Sequence, residues 1–159
     1  MTTTIEPLRS SVTVGRSPAD AFRLFTAEMG TWWPLDLHSL AVDTYEGRVR
    51  AESLEFEERE GGRIVERMSD GTEGTWGTVL VWDPPSRVVL AWKPNTEDRP
   101  PTELEVRFTS AAGGTLVELE HRGWERLGDI AERARSEYGQ GWQGVLSRYS
   151  GAADREEAT

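Results

Sequence analysis

The chain contains no cysteine and only two histidines among its 159 residues. Without cysteine there is no disulfide, no thiol nucleophile and no thiolate metal site. A metal centre needs three or four converging ligands. His38 and His121, with scattered acids, show no such spacing, so neither a metal nor another cofactor is expected. No apolar run approaches the ~20 residues of a membrane span, which argues against membrane insertion. The start, Met-Thr-Thr-Thr-Ile-Glu-Pro, has neither a basic beginning nor an apolar stretch, so no signal peptide is expected and a cytoplasmic location fits. Positive charge is scarce as well, with a net charge of −10. A nucleic-acid binder needs a concentrated basic face, so no nucleic-acid partner is expected. Arg48, Arg50, Arg59, Arg63 and Arg67 are interleaved with glutamates and read as a solvated sheet face. There is no Gly-x-Ser-x-Gly elbow, Walker loop or dinucleotide fingerprint.

What the chain does have is seven tryptophans: Trp32, Trp33, Trp76, Trp82, Trp92, Trp124 and Trp142. Each brings a large apolar surface and one N–H that wants a partner when buried. Singly, such rings are ordinary packing; as a set they suggest an aromatic-lined cavity.

The length suits one domain. Residues 1–7 read as a flexible arm, 8–150 as the domain and 151–159 as a flexible tail. A first strand fits Leu8 to Val14. Ser17-Pro18-Ala19-Asp20 then announces a helix, with Ser17 as cap and Pro18 at the first helical position. Trp32-Trp33-Pro34 leads into an irregular segment through about Thr44. From Arg48 the pattern changes to six strands joined by short turns: 48–58, 63–68, 72–82, 87–92, 102–109 and 115–122. Leu104, Val106 and Phe108 face one way, and so do Val117, Leu119 and His121; acids and arginines occupy the other face. A C-terminal helix from about Asp129 to Ser150 has one apolar face, including Tyr138, Trp142 and Val145. Gly139, Gly141 and Gly144 each cost a helix about 1 kcal/mol relative to alanine, which asks for a reason.

Strand, short helix, six-strand meander and long C-terminal helix is the order of the helix-grip fold, an α+β class in which a curved antiparallel sheet of about seven strands wraps the long helix. The segments Met29-Gly30-Thr31-Trp32-Trp33-Pro34, Trp76-Gly77-Thr78-Val79-Leu80-Val81-Trp82-Asp83-Pro84-Pro85 and Leu119-Glu120-His121-Arg122-Gly123-Trp124 carry the likeness further, as does Gly141-Trp142-Gln143-Gly144. The chain resembles the bacterial SRPBCC superfamily (START, polyketide cyclase and birch-pollen-allergen relatives). Within it, the resemblance is greatest to the branch named after the activator of the heat-shock protein 90 ATPase. That implies a cavity between sheet and helix, and it is specific for fold rather than for function.

Several side chains are candidates for the cavity. Trp76, Thr78, Leu80 and Trp82 share one parity of their strand, and Trp92 shares one with Leu90 on the next. Tyr138 and Trp142 come from the helix. The expected ligand-binding set is therefore Trp33, His38, Trp76, Leu80, Trp92, Val106, Phe108, Leu119, His121, Tyr138 and Trp142. The alternative is a solid core in which the same rings touch each other. His121 on the inner face is a candidate acid or base, or else a core histidine satisfied by protein partners. Glu66 is a second candidate: inward with Ile64 and Met68 it would be a buried carboxylate, and in the opposite parity merely exposed. Three functions follow. The first is binding of a small hydrophobic or aromatic molecule. The second, implied by the resemblance, is contact with the chaperone. The third is acid–base catalysis of the cyclase kind. The glycine-rich helix also allows a homodimer.

Overall fold

The computed structural model describes residues 5–46 and 48–155. The outermost parts of the expected arm and tail lie outside the described residues. Seven antiparallel strands form one sheet: β1 (Leu8–Val14), β2 (Ala51–Phe56), β3 (Arg63–Met68), β4 (Glu73–Asp83), β5 (Arg87–Trp92), β6 (Thr102–Ala111) and β7 (Gly114–Arg122). Their spatial order is β1-β7-β6-β5-β4-β3-β2. The six later strands are a meander, and β1 closes onto the last of them, Leu8 opposite His121 and Val14 opposite Thr115.

Between β1 and β2 lie α1 (Pro18–Phe25), a 3-10 turn (Met29–Thr31) and α2 (Leu40–Asp43). Ser17 caps α1 by accepting from the Asp20 N–H, and Phe22, Leu24 and Phe25 are buried. A second 3-10 segment (Trp124–Ile130) precedes α3 (Ala131–Arg155). This is the helix-grip architecture expected. The long helix runs past Ser150, because Ala153 is still fully buried against the core. The segment expected to be irregular contains α2, whose cap is Ser39 accepting from the Val42 N–H.

The core is the concave side of the sheet closed by α1 and α3. Phe25 packs edge-on against Phe108 and Tyr149, and Trp32 against Tyr149. Each fully buried ring of this kind stabilises the fold by about 2–3 kcal/mol. Tyr149 also donates its hydroxyl to the Ala21 carbonyl at 2.8 Å, tying α3 to α1. The Trp32 indole donates to the Leu24 carbonyl at 2.7 Å. At this end the core is solid.

Strand β4 departs from simple alternation. Its register slips by one residue against β3 between Ile64 and Val65, and again against β5 between Val79 and Val81. Each bulge sets two residues of β4 opposite one of its neighbour and flips the parity beyond it. Trp76 and Val79 consequently both point inward, while Leu80 is the extra residue and lies 44% exposed. The even parity expected for Trp76, Leu80 and Trp82 is therefore broken at Leu80. Between the bulges, Gly77 lets β5 come close; a Cβ there would strike the carbonyl of Ala91.

Candidate functional site

At the other end of α3 the core opens into a cavity of about 460 Å³. Its inner wall is aromatic: Trp33 from the turn after α1, Trp76 from β4, Trp92 from β5, and Trp142 with Tyr138 from α3. The four indoles also touch one another. Ring centroids are 5.1 Å apart for Trp33–Trp76, 6.0 Å for Trp76–Trp92, 5.7 Å for Trp92–Trp142 and 5.9 Å for Trp33–Trp142. The rings pack as a buried cluster, Trp76, Trp92 and Trp142 being no more than 3% exposed and Trp33 8%, and only a small part of their surface reaches the space. The mouth is built by the segment around His38 and Asp43, the Lys93–Pro100 loop and the first turns of α3.

The rings are held by hydrogen bonds from behind. Trp33 donates to the His38 carbonyl at 2.8 Å, Trp76 to Glu66 at 2.8 Å and Trp142 to Nδ1 of His121 at 3.0 Å. Only Trp92 differs, its indole nitrogen being buried without a hydrogen-bond partner. The neighbouring Tyr138 hydroxyl is raised well above the ordinary phenol range by burial, an effect the Trp92 N–H opposes. Tyr138 is therefore a neutral hydroxyl at any physiological pH.

His121 is fully buried and makes no part of the cavity wall. An indole N–H only donates, so Nδ1 of His121 must accept and carries no proton. Its proton is on Nε2, which donates to the Thr102 hydroxyl at 2.7 Å; Thr102 in turn donates to the Trp92 carbonyl at 3.2 Å. Trp124 covers the ring at a centroid distance of 4.1 Å and donates to the His121 carbonyl. Desolvation lowers the His121 pKa to about 3, so the ring is neutral. In this arrangement both His121 nitrogens are already used inside the protein, as in the core-histidine reading.

Glu66 faces inward and is fully buried. It meets no cation. Its carboxylate accepts three N–H groups instead, from Leu40 at 2.7 Å, Ala41 at 3.1 Å and Trp76 at 2.8 Å. Two of these are the otherwise unpaired amides at the start of α2. Glu66 is the buried brace that fixes both α2 and the Trp76 ring.

Of the other expected residues, His38 lines the cavity mouth, and its ring lies against α3 where Gly141 has no side chain. Asp43 stands beside it; desolvation raises the Asp43 carboxyl from its ordinary value, and His38 opposes that. Val106, Phe108 and Leu119 are buried but belong to the solid part of the core, away from the cavity wall. Leu80 faces outward because of the bulge. Sequence reasoning missed Lys93, Asn95, Arg99 and Gly141. The signal that could have found the first of these was its rarity, since Lys93 is the single lysine of the chain. Among the described residues no group of acids and histidines is arranged to hold a metal ion, and no helix is long and apolar enough to cross a membrane.

The family model described as activator of Hsp90 ATPase homolog 1-like protein matches residues 16–149. No curated protein matches the sequence. Among solved structures, the anthrahydroquino-γ-pyrone synthase Txn09, in complex with the compound designated SUM, is 31% identical. That alignment covers 93% of this chain and 97% of that one, with a TM-score of 0.57. Protein CV1439 from Chromobacterium violaceum is 16% identical, covering 94% and 99%, with a TM-score of 0.66. The Aha1 dimer from Colwellia psychrerythraea is 15% identical, covering 94% and 97%, with a TM-score of 0.62. The last two likenesses are of fold alone.

Proposed function

We propose that this chain, which belongs to the activator of Hsp90 ATPase homolog 1-like family, uses its cavity to bind a small planar aromatic molecule. The observation that carries this reading is the cavity of about 460 Å³ walled by Trp33, Trp76, Trp92 and Trp142. Its size lies within the ordinary range for small-molecule sites, and an aromatic wall favours an apolar, polarisable partner. The 31% identical synthase, whose name is that of an anthrahydroquinone-derived pyrone, supports the choice of a fused-ring ligand.

The test uses a neutral hydroxymethyl-anthraquinone and a saturated fatty acid of similar volume. The anthraquinone quenches tryptophan fluorescence and raises the melting temperature, as a ligand of the native state must. The fatty acid does neither. Gly141→Leu, which fills the cavity from α3, removes both signals. An anthraquinone that leaves fluorescence and melting temperature unchanged ends the proposal.

The same relative favours a second reading, a ring-closing enzyme. His121 is unavailable for it, which leaves His38, beside Asp43, as the titratable ring that reaches the cavity. On this reading, His38→Gln retains ligand binding and loses turnover of a polyketide-type substrate. Equal turnover by the variant excludes it. The family's description also motivates a pull-down with heat-shock protein 90 and an ATPase assay, in which unchanged ATP turnover removes chaperone activation. Sedimentation at micromolar concentration decides whether the chain shares the dimeric state of the Colwellia protein.

A further inference from the structure

The cavity mouth carries six charged side chains: Asp43, Lys93, Glu97, Arg99, Arg133 and Glu137. Formally they cancel, so what matters is which of them are compensated and how far each is removed from water. The three acids and Arg133 are exposed, whereas Lys93 and Arg99 are half-buried. Arg99 is spoken for: it donates to the Leu127 carbonyl at 3.0 Å and pairs with Glu97 at 3.4 Å and Asp129 at 3.7 Å. Lys93 has no ion pair and no side-chain hydrogen bond among the described residues. Its backbone is nevertheless fixed, the N–H donating to the Trp76 carbonyl at 2.7 Å.

A half-buried cation without a partner is out of character for this chain. It has 28 acids against 18 basic residues, and its other half-buried cations are held by carboxylates or carbonyls. On the outer face of the sheet Arg122 alone contacts Glu103, Glu105 and Glu120. Arg135 donates to the Glu6 and Pro7 carbonyls. The preceding residue, Trp92, has a buried N–H whose one polar neighbour is the Tyr138 hydroxyl. Buried donors normally find an acceptor inside the protein; a half-buried ammonium at a cavity wall with none is free to meet one brought by a ligand.

We propose that the ligand carries an anionic oxygen group, a carboxylate or an ionised phenol, which meets the Lys93 ammonium at the cavity wall while its rings fill the cavity. This rests on the aromatic-ligand reading and adds the ligand's charge to it. An ammonium–carboxylate contact is a charge-assisted hydrogen bond, and inside an occupied cavity it is stronger than its solvent-exposed counterpart because less water competes for either partner.

The experiment compares anthraquinone carboxylate with its neutral hydroxymethyl analogue, by fluorescence titration of the full chain. The wild type prefers the carboxylate by about tenfold or more, the effect of one charge-assisted hydrogen bond. Lys93→Met loses that preference and keeps its affinity for the neutral analogue; Lys93→Arg retains most of it. Isotope-labelled reductive methylation of the single lysine gives one side-chain signal by NMR, and the carboxylate shifts it where the neutral analogue does not. Equal binding of the two ligands by the wild type, or an undiminished preference in Lys93→Met, overturns the proposal while leaving the aromatic-ligand reading intact. Binding of neither ligand overturns both.

Discussion

Trp142 donates its indole N–H to Nδ1 of His121 at 3.0 Å, and that bond fixes the tautomer of the only buried histidine. The ring must stay neutral to accept, and its pKa is lowered to about 3 by desolvation. In the unfolded chain a histidine titrates near 6.5. Between those values the unfolded state binds the extra proton and the folded state does not. Stability from this group is therefore fully present above about pH 6.5 and is lost as pH falls towards 3. The limiting slope is about 1.4 kcal/mol per pH unit. Denaturation midpoints measured from pH 7 to pH 4 show this decline in the wild type. In His121→Phe, which is destabilised overall, the decline is shallower; an unchanged slope would show that His121 is not its source.

Glu66 gives the second prediction. Its two oxygens accept three N–H groups in a site without water access. Glu66→Gln keeps the shape but turns one oxygen into an NH₂ group that faces a donor. Leaving a buried donor unpaired costs about 1–3 kcal/mol. Glu66→Ala strips all three and costs more, through both the unpaired donors and the space left behind. Chemical denaturation orders the variants wild type, Gln, Ala. Amide exchange at Leu40 and Ala41 rises in the same order, because those amides lose their acceptor. A glutamine variant as stable as wild type would contradict the brace.

The architecture was legible because it is written in short-range signals. Strands 63–68 and 87–92 are bounded by turn residues and agree with the structure residue for residue. The inward set of β6 and β7 follows the alternation of Leu104, Val106 and Phe108 with acids and arginines. The site was legible only in part, and for physical reasons. Parity arguments assume an unbroken pleat, and the two bulges in β4 defeat them, which is why Leu80 points to solvent. Parity also tells which face a residue is on but not how far along the strand the core is hollow. Val106, Phe108 and Leu119 face inward correctly, yet sit where α1 and α3 fill the space. His121 and Glu66 attract attention as isolated polar residues on an apolar face. Their partners, Thr102, Leu40 and the indoles, are distant in sequence and could not be foreseen.

The four cavity indoles separate by what their N–H groups do. Trp76 donates to Glu66, so Trp76→Phe removes a buried charge-assisted bond and leaves the carboxylate with two donors. Trp92 has only a weak contact with the neutral Tyr138 hydroxyl to lose. Both substitutions remove part of a ring and leave comparable space, so the difference between them isolates the hydrogen bond. Trp76→Phe is expected to cost about 1.5–3 kcal/mol more than Trp92→Phe in the ligand-free protein. Equal losses would mean that the Trp76–Glu66 bond contributes nothing net.

The glycines of α3 give the last prediction, because the structure shows no crowding that requires them. A Cβ at Gly144 would meet nothing within 4 Å, and one at Gly141 would approach the His38 ring at an ordinary 3.8 Å. Neither has a backbone that excludes a side chain. Each therefore weakens the helix without a packing return, and alanine at either position is expected to raise stability by about 1 kcal/mol. The two differ in where the methyl group goes. At exposed Gly144 it enters solvent, and ligand affinity is unchanged. At Gly141 it enters the cavity next to His38, and affinity for a fused-ring ligand falls although the fold is firmer. Thermal denaturation and fluorescence titration of the two variants, run side by side, give the pair of readings. A Gly141→Ala variant that binds as tightly as Gly144→Ala would show that this stretch of α3 does not touch the ligand.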